Sequence, residues 1–203
     1  MPDTWFTADF HFGHSNIIRY CNRPFGDVAE MDQAILECLN AAVKPNDILY
    51  FLGDFCIGGK ARGLAYRKQI RCKKIFALPG NHDKETRKLT DAFSWLNNLA
   101  EISVQGQPIV LCHYAMRVWN RSHHGAWHLY GHSHGNLPDM PASVSMDVGV
   151  DTHDFRPWHF DDIKAYMGER MKERTAMGQP QAEPCERKLS MAELGYPIAQ
   201  PQR

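Results

Sequence analysis

Two histidines stand two residues apart in the segment LYGHSHG, which covers positions 129–135. In an extended chain, side chains two positions apart point to the same side, so His132 and His134 would project together and could bind one metal ion, share two ions or have a milder role. Neutral imidazole is a common metal ligand. The chain offers further donors of the kind that share such a site, namely Asp9, His11, Asp54, Asn81 and His113. This set contains no thiolate, and it suits Mn, Fe, Zn or Co better than Ca²⁺ or a structural zinc site.

Seven donors are too many for one tetrahedral ion, but they suit two ions that share a bridging carboxylate. Two ions about 3.5–4 Å apart can bind the attacking and the leaving oxygen of an in-line displacement at phosphorus. The charge of two divalent ions also exceeds that of two aspartates and a hydroxide, so an anionic phosphate ester would be attracted. The residue types therefore indicate hydrolysis of phosphate esters at a dinuclear metal centre.

Each donor follows a short apolar run that is typical of a buried strand. The runs are TWFTADF (4–10), ILYFLGD (48–54), KIFALPGNHD (74–83), the predicted hairpin EISVQGQPIVLCHY (101–114) and WHLYGHSHG (127–135). Open α/β sheets collect their sites at strand ends, so these separate segments can build one site. Between the strands we expect an amphipathic helix from Asp27, a basic helical stretch near 60–71, a helical segment after Lys84 and a last helix with Asp161 as its N-cap.

The bulk composition is typical of a globular domain. Of the 203 residues, 43% are hydrophobic, and 23 basic residues balance 23 acidic ones, so no overall charge favours nucleic acid or a membrane surface. No stretch is apolar enough to cross a bilayer, the first residues lack the pattern of a signal peptide, and the six cysteines form no CxxC pair. We expect a cytoplasmic domain over 1–174 and a Pro- and Gln-rich, loose or docked tail over 175–203.

The ordered motifs DxH (9–11), GD (53–54), GNHD (80–83), His113 and GHSH (131–134) resemble those of the calcineurin-like metallophosphoesterase family. The resemblance is closest to a small bacterial and phage branch of that family. It implies an α/β fold, a four-layer αββα sandwich in which two mixed β-sheets are flanked by helices. The second motif continues as GDFCIGG, without the Asp and Arg found there in protein Ser/Thr phosphatases, so a protein phosphatase is disfavoured.

The resemblance also implies a role for each donor. The first ion would be held by Asp9, His11 and His134. The second ion would be held by Asn81, His113 and His132. Asp54 would bridge both ions, and His82 would contact the phosphoryl oxygens and protonate the leaving oxygen without binding metal. Two divalent transition metal ions are the implied cofactors, with Mn²⁺ preferred over Fe, Zn, Co and Ni.

Three further residues are candidates for binding the substrate. His14 and Asn16 closely follow the DxH motif, and Arg117 lies four residues after His113. Asn16 could equally cap the helix that begins near it.

The expected reaction is in-line attack of a metal-bridging hydroxide on a small, nucleotide-like phosphodiester or phosphomonoester. Two alternatives stay open. The basic stretch from Lys60 to Lys74 would suit a nuclease acting on DNA or RNA, although such a stretch is also typical of a solvated helix face. A non-catalytic adaptor with the same fold is the other hypothesis, and retention of every ligand position favours activity instead.

Overall fold

The computed structural model describes residues 2–138, 140 and 143–177. The strands within these residues are β1 (Thr4–Thr7), β2 (Ile48–Phe51), β3 (Lys74–Ala77), β4 (Trp95–Leu96), β5 (Leu99–Val104), β6 (Gln107–Cys112), β7 (Trp127–Tyr130), β8 (Ser145–Asp147) and β9 (Trp158–His159). The helices are α1 (Ser15–Tyr20), α2 (Val28–Ala42), α3 (Lys60–Gln69) and α4 (Phe160–Ala176).

The strands form two mixed sheets. The first has the order β4-β3-β2-β1-β9, in which β1 to β4 run parallel and β9 pairs antiparallel with β1. The second has the order β5-β6-β7-β8, with β5 and β6 as an antiparallel hairpin and the remaining pairs parallel. Two mixed sheets with flanking helices confirm the predicted fold class. Their parallel strands end at the same edge, which is where the candidate donors follow.

Two hydrophobic cores hold these layers together. One joins the first sheet to α2, where Ile35 and Leu39 pack with Leu49 and Ile75 of the central strands. The other joins the two sheets and α4, with Phe6, Leu52 and Leu78 beside Leu111 and Leu129 as its central side chains. The first turn of α2 is fixed by Asp27, whose carboxylate accepts hydrogen bonds from the backbone N–H groups of Ala29 and Glu30. The predicted amphipathic helix from Asp27 is thus confirmed.

Several predicted boundaries differ from the structure. The segment after Lys84 forms two short 3₁₀ turns, Thr86–Lys88 and Thr90–Ala92, in place of an α-helix. Helix α4 begins one residue before Asp161, because the Nδ1 atom of His159 accepts the Asp161 N–H and takes the N-cap position. The helix also continues to Ala176, past the predicted boundary at 174, and the rest of the predicted tail lies outside the described residues.

Within the part of the chain that the structure describes, no helix has the length and apolar character needed to cross a membrane.

Candidate metal centre

The loops that follow the parallel strands are tied to one another at a single edge of the fold. The backbone N–H of Asp9 donates to the carbonyl of Gly53 at 2.8 Å, which links the loops after β1 and β2. The N–H of Gly131 donates to the carbonyl of His113 at 3.0 Å, which links the loops after β7 and β6. The structure therefore brings the predicted donors of separate segments to one place.

The first group of donors, called half-site 1 here, consists of Asp9, His11 and His134. One ligand atom from each lies within 4.8 Å of the others. Asp9 and His11 are 0% and 1% exposed, respectively. The Nε2 atom of His11 is buried and has no hydrogen-bond partner among the described residues. A buried imidazole nitrogen without a partner costs free energy, and a metal ion is a partner that these three side chains could share.

The second group, half-site 2, consists of Asn81, His113 and His132. The Nε2 atom of His113 lies 3.1 Å from Oδ1 of Asn81, and ligand atoms of His113, His132 and Asp54 lie within 4.8 Å of one another. The Nδ1 atom of His113 is 2.7 Å from the carbonyl of Leu52. A carbonyl can only accept, so Nδ1 carries a hydrogen, and in the neutral ring Nε2 has the lone pair that could bind metal. Asn81 and His132 are exposed, so this half-site faces solvent.

One carboxylate oxygen stands between the two half-sites. The Oδ2 atom of Asp54 lies 3.4 Å from Nε2 of His11 and 3.5 Å from Nε2 of His113. The other oxygen, Oδ1, accepts the backbone N–H of His82 at 2.9 Å. This hydrogen bond orients the carboxylate, and Oδ2 is left where ligands of both groups meet. The geometry fits a shared ligand for two ions.

Burial perturbs the ionisation of the same side chains. Burial raises the pKa of Asp9 to about 8, although His134 and His113 lower it. Burial also lowers the pKa of His11 to about 2. Burial alone would raise the pKa of Asp54, but its hydrogen bond with His113 and the nearby His11 lower it to about 2. A divalent cation among these atoms would stabilise the carboxylates and take the imidazole lone pairs, so the donor set fits divalent metal.

The backbone at these positions is left-handed. Positive φ angles occur at five of the seven donors, which are Asp9, His11, Asp54, His132 and His134. The expectation that His132 and His134 share one side of an extended chain is therefore wrong, because β7 ends at Tyr130 and a tight loop follows. Asp and His tolerate this region better than most residues, and strained backbone of this kind is concentrated at functional sites.

Two further histidines lie beside the donors. His82 is exposed, and its ring centroid is 5.1 Å from that of His11. The Nδ1 atom of His14 is 3.2 Å from Nδ1 of His11, and the His14 and His82 rings are 5.6 Å apart. Both rings are thus within the reach of a molecule bound at the donors.

The structure does not place the other two substrate candidates among the donors. Asn16 is an exposed second residue of α1, and His14 occupies the N-cap position, so Asn16 is not the predicted cap. Arg117 is exposed and lines a cavity of about 950 Å³. Ala115 and Gly135, which follow His113 and His134 closely in the chain, also line this cavity, so it adjoins the ligand loops.

Two residues outside the predicted set contact half-site 1. An oxygen of Asp151 is 2.6 Å from Nδ1 of His134, and Arg23 holds that carboxylate with two hydrogen bonds of 2.8 Å. Burial alone would lower the pKa of His134, but the hydrogen bond to Asp151 raises it to about 10. Asp151 follows the short strand β8 in the segment SVSMDVGVD (143–151). This is the same pattern of an apolar run followed by a polar side chain that identified the other donors, so it could have identified Asp151 as well.

Asp83 has a structural role next to His82. Its carboxylate accepts backbone N–H groups from Asp54, Phe55 and Gly80 at 2.7–2.9 Å, and it is 0% exposed. The side chain therefore fixes the loops that present Asp54 and Asn81 and does not face the donors.

Comparison with known proteins identifies the family of the chain. The family model for the calcineurin-like phosphoesterases matches residues 3–147, which include all seven donors. The chain therefore belongs to the calcineurin-like phosphoesterase family. As a member it is a metal-dependent phosphoesterase, and the family implies divalent metal ions.

Individual relatives add little about the substrate. The chain is 31% identical over 169 residues to the uncharacterized protein MJ1445 of Methanocaldococcus jannaschii, covering 80% of this chain and 90% of the relative. It is 30% identical over 105 residues to the gene 66 protein of Mycobacterium phage L5, covering 47% of this chain and 49% of that protein. Among solved structures, a protein of unknown function from Aquifex aeolicus, AQ665, aligns with a TM-score of 0.63 at 23% identity, over 82% of this chain and all of that one, which supports the fold.

Proposed function

We propose that the chain hydrolyses a small, nucleotide-like phosphodiester or phosphomonoester with two divalent ions, of which Mn²⁺ is the preferred one. The observation that supports this most directly is the position of Asp54 Oδ2, at 3.4 and 3.5 Å from a nitrogen of His11 and of His113. The Nε2 atom of His11 makes no hydrogen bond among the described residues, and this nitrogen and the mixture of oxygen and imidazole donors support metal binding at the same place.

The residue roles follow from this arrangement. Half-site 1 and half-site 2 would hold one ion each, and Asp54 would bind both. When bound, the ions would supply positive charge for the phosphoryl oxygens and a hydroxide at neutral pH that attacks phosphorus in line. His82 is exposed beside Asp54 and His11, so its imidazole can hydrogen-bond a phosphoryl oxygen and give a proton to the leaving oxygen. His14 would help to orient the ester.

A small substrate is favoured over a polynucleotide. Lys73 and Lys74 stand at the start of β3, whereas Asn81 and His82 follow the end of that strand, so part of the basic stretch lies at the opposite edge of the sheet. Arg67 is also engaged inside the fold, where it donates to the carbonyls of Ala92 and Ile70. The cavity lined by Arg117 and Gly135 adjoins the ligand loops and could accept the organic part of a small ester.

The test is a screen of the Mn²⁺-loaded protein against bis-p-nitrophenyl phosphate, p-nitrophenyl phosphate, cyclic nucleotides and oligonucleotides. We expect turnover of the small esters, and loss of turnover after chelation. Hydrolysis of oligonucleotides with salt-sensitive binding would favour the nuclease instead. A protein that binds no metal and hydrolyses none of these esters would be the adaptor, and the proposal would then be wrong.

A further inference from the structure

Arg23 is an almost fully buried arginine that joins two ligand loops. Its Nη2 atom donates to the carbonyl of Asp9 at 2.7 Å, and Nη1 donates to the carbonyl of Phe10 at 3.1 Å. Both carbonyls belong to the segment that carries Asp9 and His11. The guanidinium is 0% exposed, so these hydrogen bonds are not in competition with water.

The same guanidinium holds Asp151 in a two-point contact. Nε donates to Oδ1 and Nη2 to Oδ2, both at 2.8 Å. Planar guanidinium and carboxylate groups that meet in this way fix each other's orientation as well as their distance. Asp151 is in turn placed by the backbone next to it, because the N–H of Val150 donates to the carbonyl of Ala8 at 3.1 Å. The carboxylate therefore has a fixed position relative to the segment that begins at Ala8.

Asp151 presents Oδ2 to His134 at 2.6 Å from Nδ1. An ionised carboxylate can only accept, so Nδ1 carries a hydrogen, and Nε2 of His134 is the nitrogen that can bind a metal ion once it has lost its proton. Ligands of half-site 1 come from two distant loops, and the chain of contacts from Asp9 through Arg23 and Asp151 to His134 connects both. Half-site 2 differs, because its His113 is oriented by the neutral carbonyl of Leu52.

We propose that Arg23 and Asp151 are positioning residues that orient His134 and thereby set the affinity of half-site 1 for its metal ion. The inference rests on the proposed function, in which half-site 1 binds one of two ions. A carboxylate behind a ligating imidazole both fixes the ring and makes it a better donor, and loss of such a partner typically lowers metal affinity about 10–100-fold. Arg23 acts through Asp151 and through the Asp9 and Phe10 carbonyls, without contact to the metal.

The test is a titration of the metal-free protein with Mn²⁺, followed by the electron paramagnetic resonance signal of the free ion. We expect Asp151→Asn to weaken one of the two binding events about 10–100-fold and to leave the other within about twofold of wild type. Arg23→Lys, which keeps the charge and loses the two-point contact, should weaken the same event by a smaller factor.

Asp47→Asn is the matched control. Asp47 is another buried carboxylate, 4% exposed, and it accepts hydrogen bonds from Trp5 and from the backbone of Lys44 at the opposite end of β2. Asp47→Asn should lower the midpoint temperature of thermal unfolding without changing the affinity of either Mn²⁺-binding event. If Asp151→Asn binds both ions like wild type, or weakens both equally as the stability falls, the proposal is wrong. If Asp151→Asn does not fold, Arg23→Lys decides in the same way.

The titration also separates this proposal from the proposed function. Binding of two ions by wild type, without hydrolysis of any ester, would contradict the proposed reaction and leave the positioning role standing. If the wild-type protein binds a single ion, the proposal of a dinuclear centre is wrong. If Asp151→Asn then binds that ion with unchanged affinity, the positioning role of Asp151 is wrong as well.

Discussion

Half-site 1 and half-site 2 offer similar ligand chemistry in different surroundings. In half-site 1, Asp9 and His11 are buried, and His134 is held through Asp151 by a buried arginine. In half-site 2, only His113 is buried, while Asn81 and His132 are exposed. If each half-site binds one ion as proposed, half-site 1 would hold its ion more firmly, and the ion of half-site 2 would face the solvent from which a substrate arrives. Four predictions test this comparison.

The largest effect is expected from Asp54→Ala, since Asp54 is the side chain that both half-sites share. In the proposed centre, removal of Oδ2 would take a ligand from each ion, so we expect loss of both ions and of measurable turnover. Metal content by elemental analysis and hydrolysis of bis-p-nitrophenyl phosphate give the two readouts. A variant that keeps two ions and full activity would show that the site is assigned wrongly.

His82→Ala should separate catalysis from metal binding. Loss of a proton donor typically costs about 10²–10⁴-fold in kcat, and both ions should stay bound because His82 is not proposed as a ligand. Kinetics at saturating Mn²⁺ and metal content test this. His123→Ala, which changes an exposed histidine outside both half-sites, is the control and should leave both quantities unchanged. Loss of an ion from His82→Ala would make His82 a ligand instead.

A dilute chelator should distinguish the half-sites directly. We expect the solvent-facing ion of half-site 2 to leave at least about tenfold faster than that of half-site 1, because buried ligands with a charged partner bind more tightly. Stopped-flow mixing with chelator, read through Mn²⁺ release, should show two phases. Asp151→Asn should bring the two rates together. A single phase in wild type would mean that the half-sites are equivalent.

The smallest effect is expected from a pair of glycine variants in the GHSH loop. A Cβ atom at Gly131 would lie 2.8 Å from an oxygen of Asp9 and 2.6 Å from Cβ of Ala8, so Gly131→Ala should lower stability by about 1–3 kcal/mol and weaken half-site 1. At Gly135, with φ of +73°, the nearest atom is at 3.4 Å, so Gly135→Ala should cost about 1 kcal/mol from backbone strain alone. Denaturant titrations give the stability of the two variants, and Mn²⁺ titrations give their metal affinity. Equal Mn²⁺ affinities of Gly131→Ala and Gly135→Ala would contradict the expected weakening of half-site 1.

Much of the arrangement was predictable from the sequence, because apolar runs followed by polar donors identify strand ends. This rule located the loops of Asp9, Asp54 and His113, and the family motifs supported it. The left-handed backbone at His132 and His134 was not predictable, since local spacing suggests an extended chain. The tight loop instead places Gly131 against Ala8, which is distant in the sequence.

The contacts behind the ligands were harder to predict. Arg23 and Asp151 are 128 residues apart, and no local pattern pairs them. The α-helix expected after Lys84 does not form, and the reason is again a contact with a distant segment. The carboxylate of Asp83 accepts a hydrogen bond from the backbone N–H of Asp54, in a distant loop. The chain that follows Asp83 forms a 3₁₀ turn in which Thr86 is buried. Tertiary contacts thus determined the secondary structure of this segment, which helix propensity alone did not determine.

The hydrogen bond from the His132 N–H to Asp9 joins segments 123 residues apart, one after the first sheet's β1 and one after the second sheet's β7. An ion shared by Asp9 and His134 would join the same two segments, so these loops cannot separate until it dissociates. Interactions that must break before the unfolding transition state slow unfolding more than they speed folding. We therefore expect metal to extend the lifetime of the folded chain, and resistance to proteolysis to follow the occupancy of half-site 1.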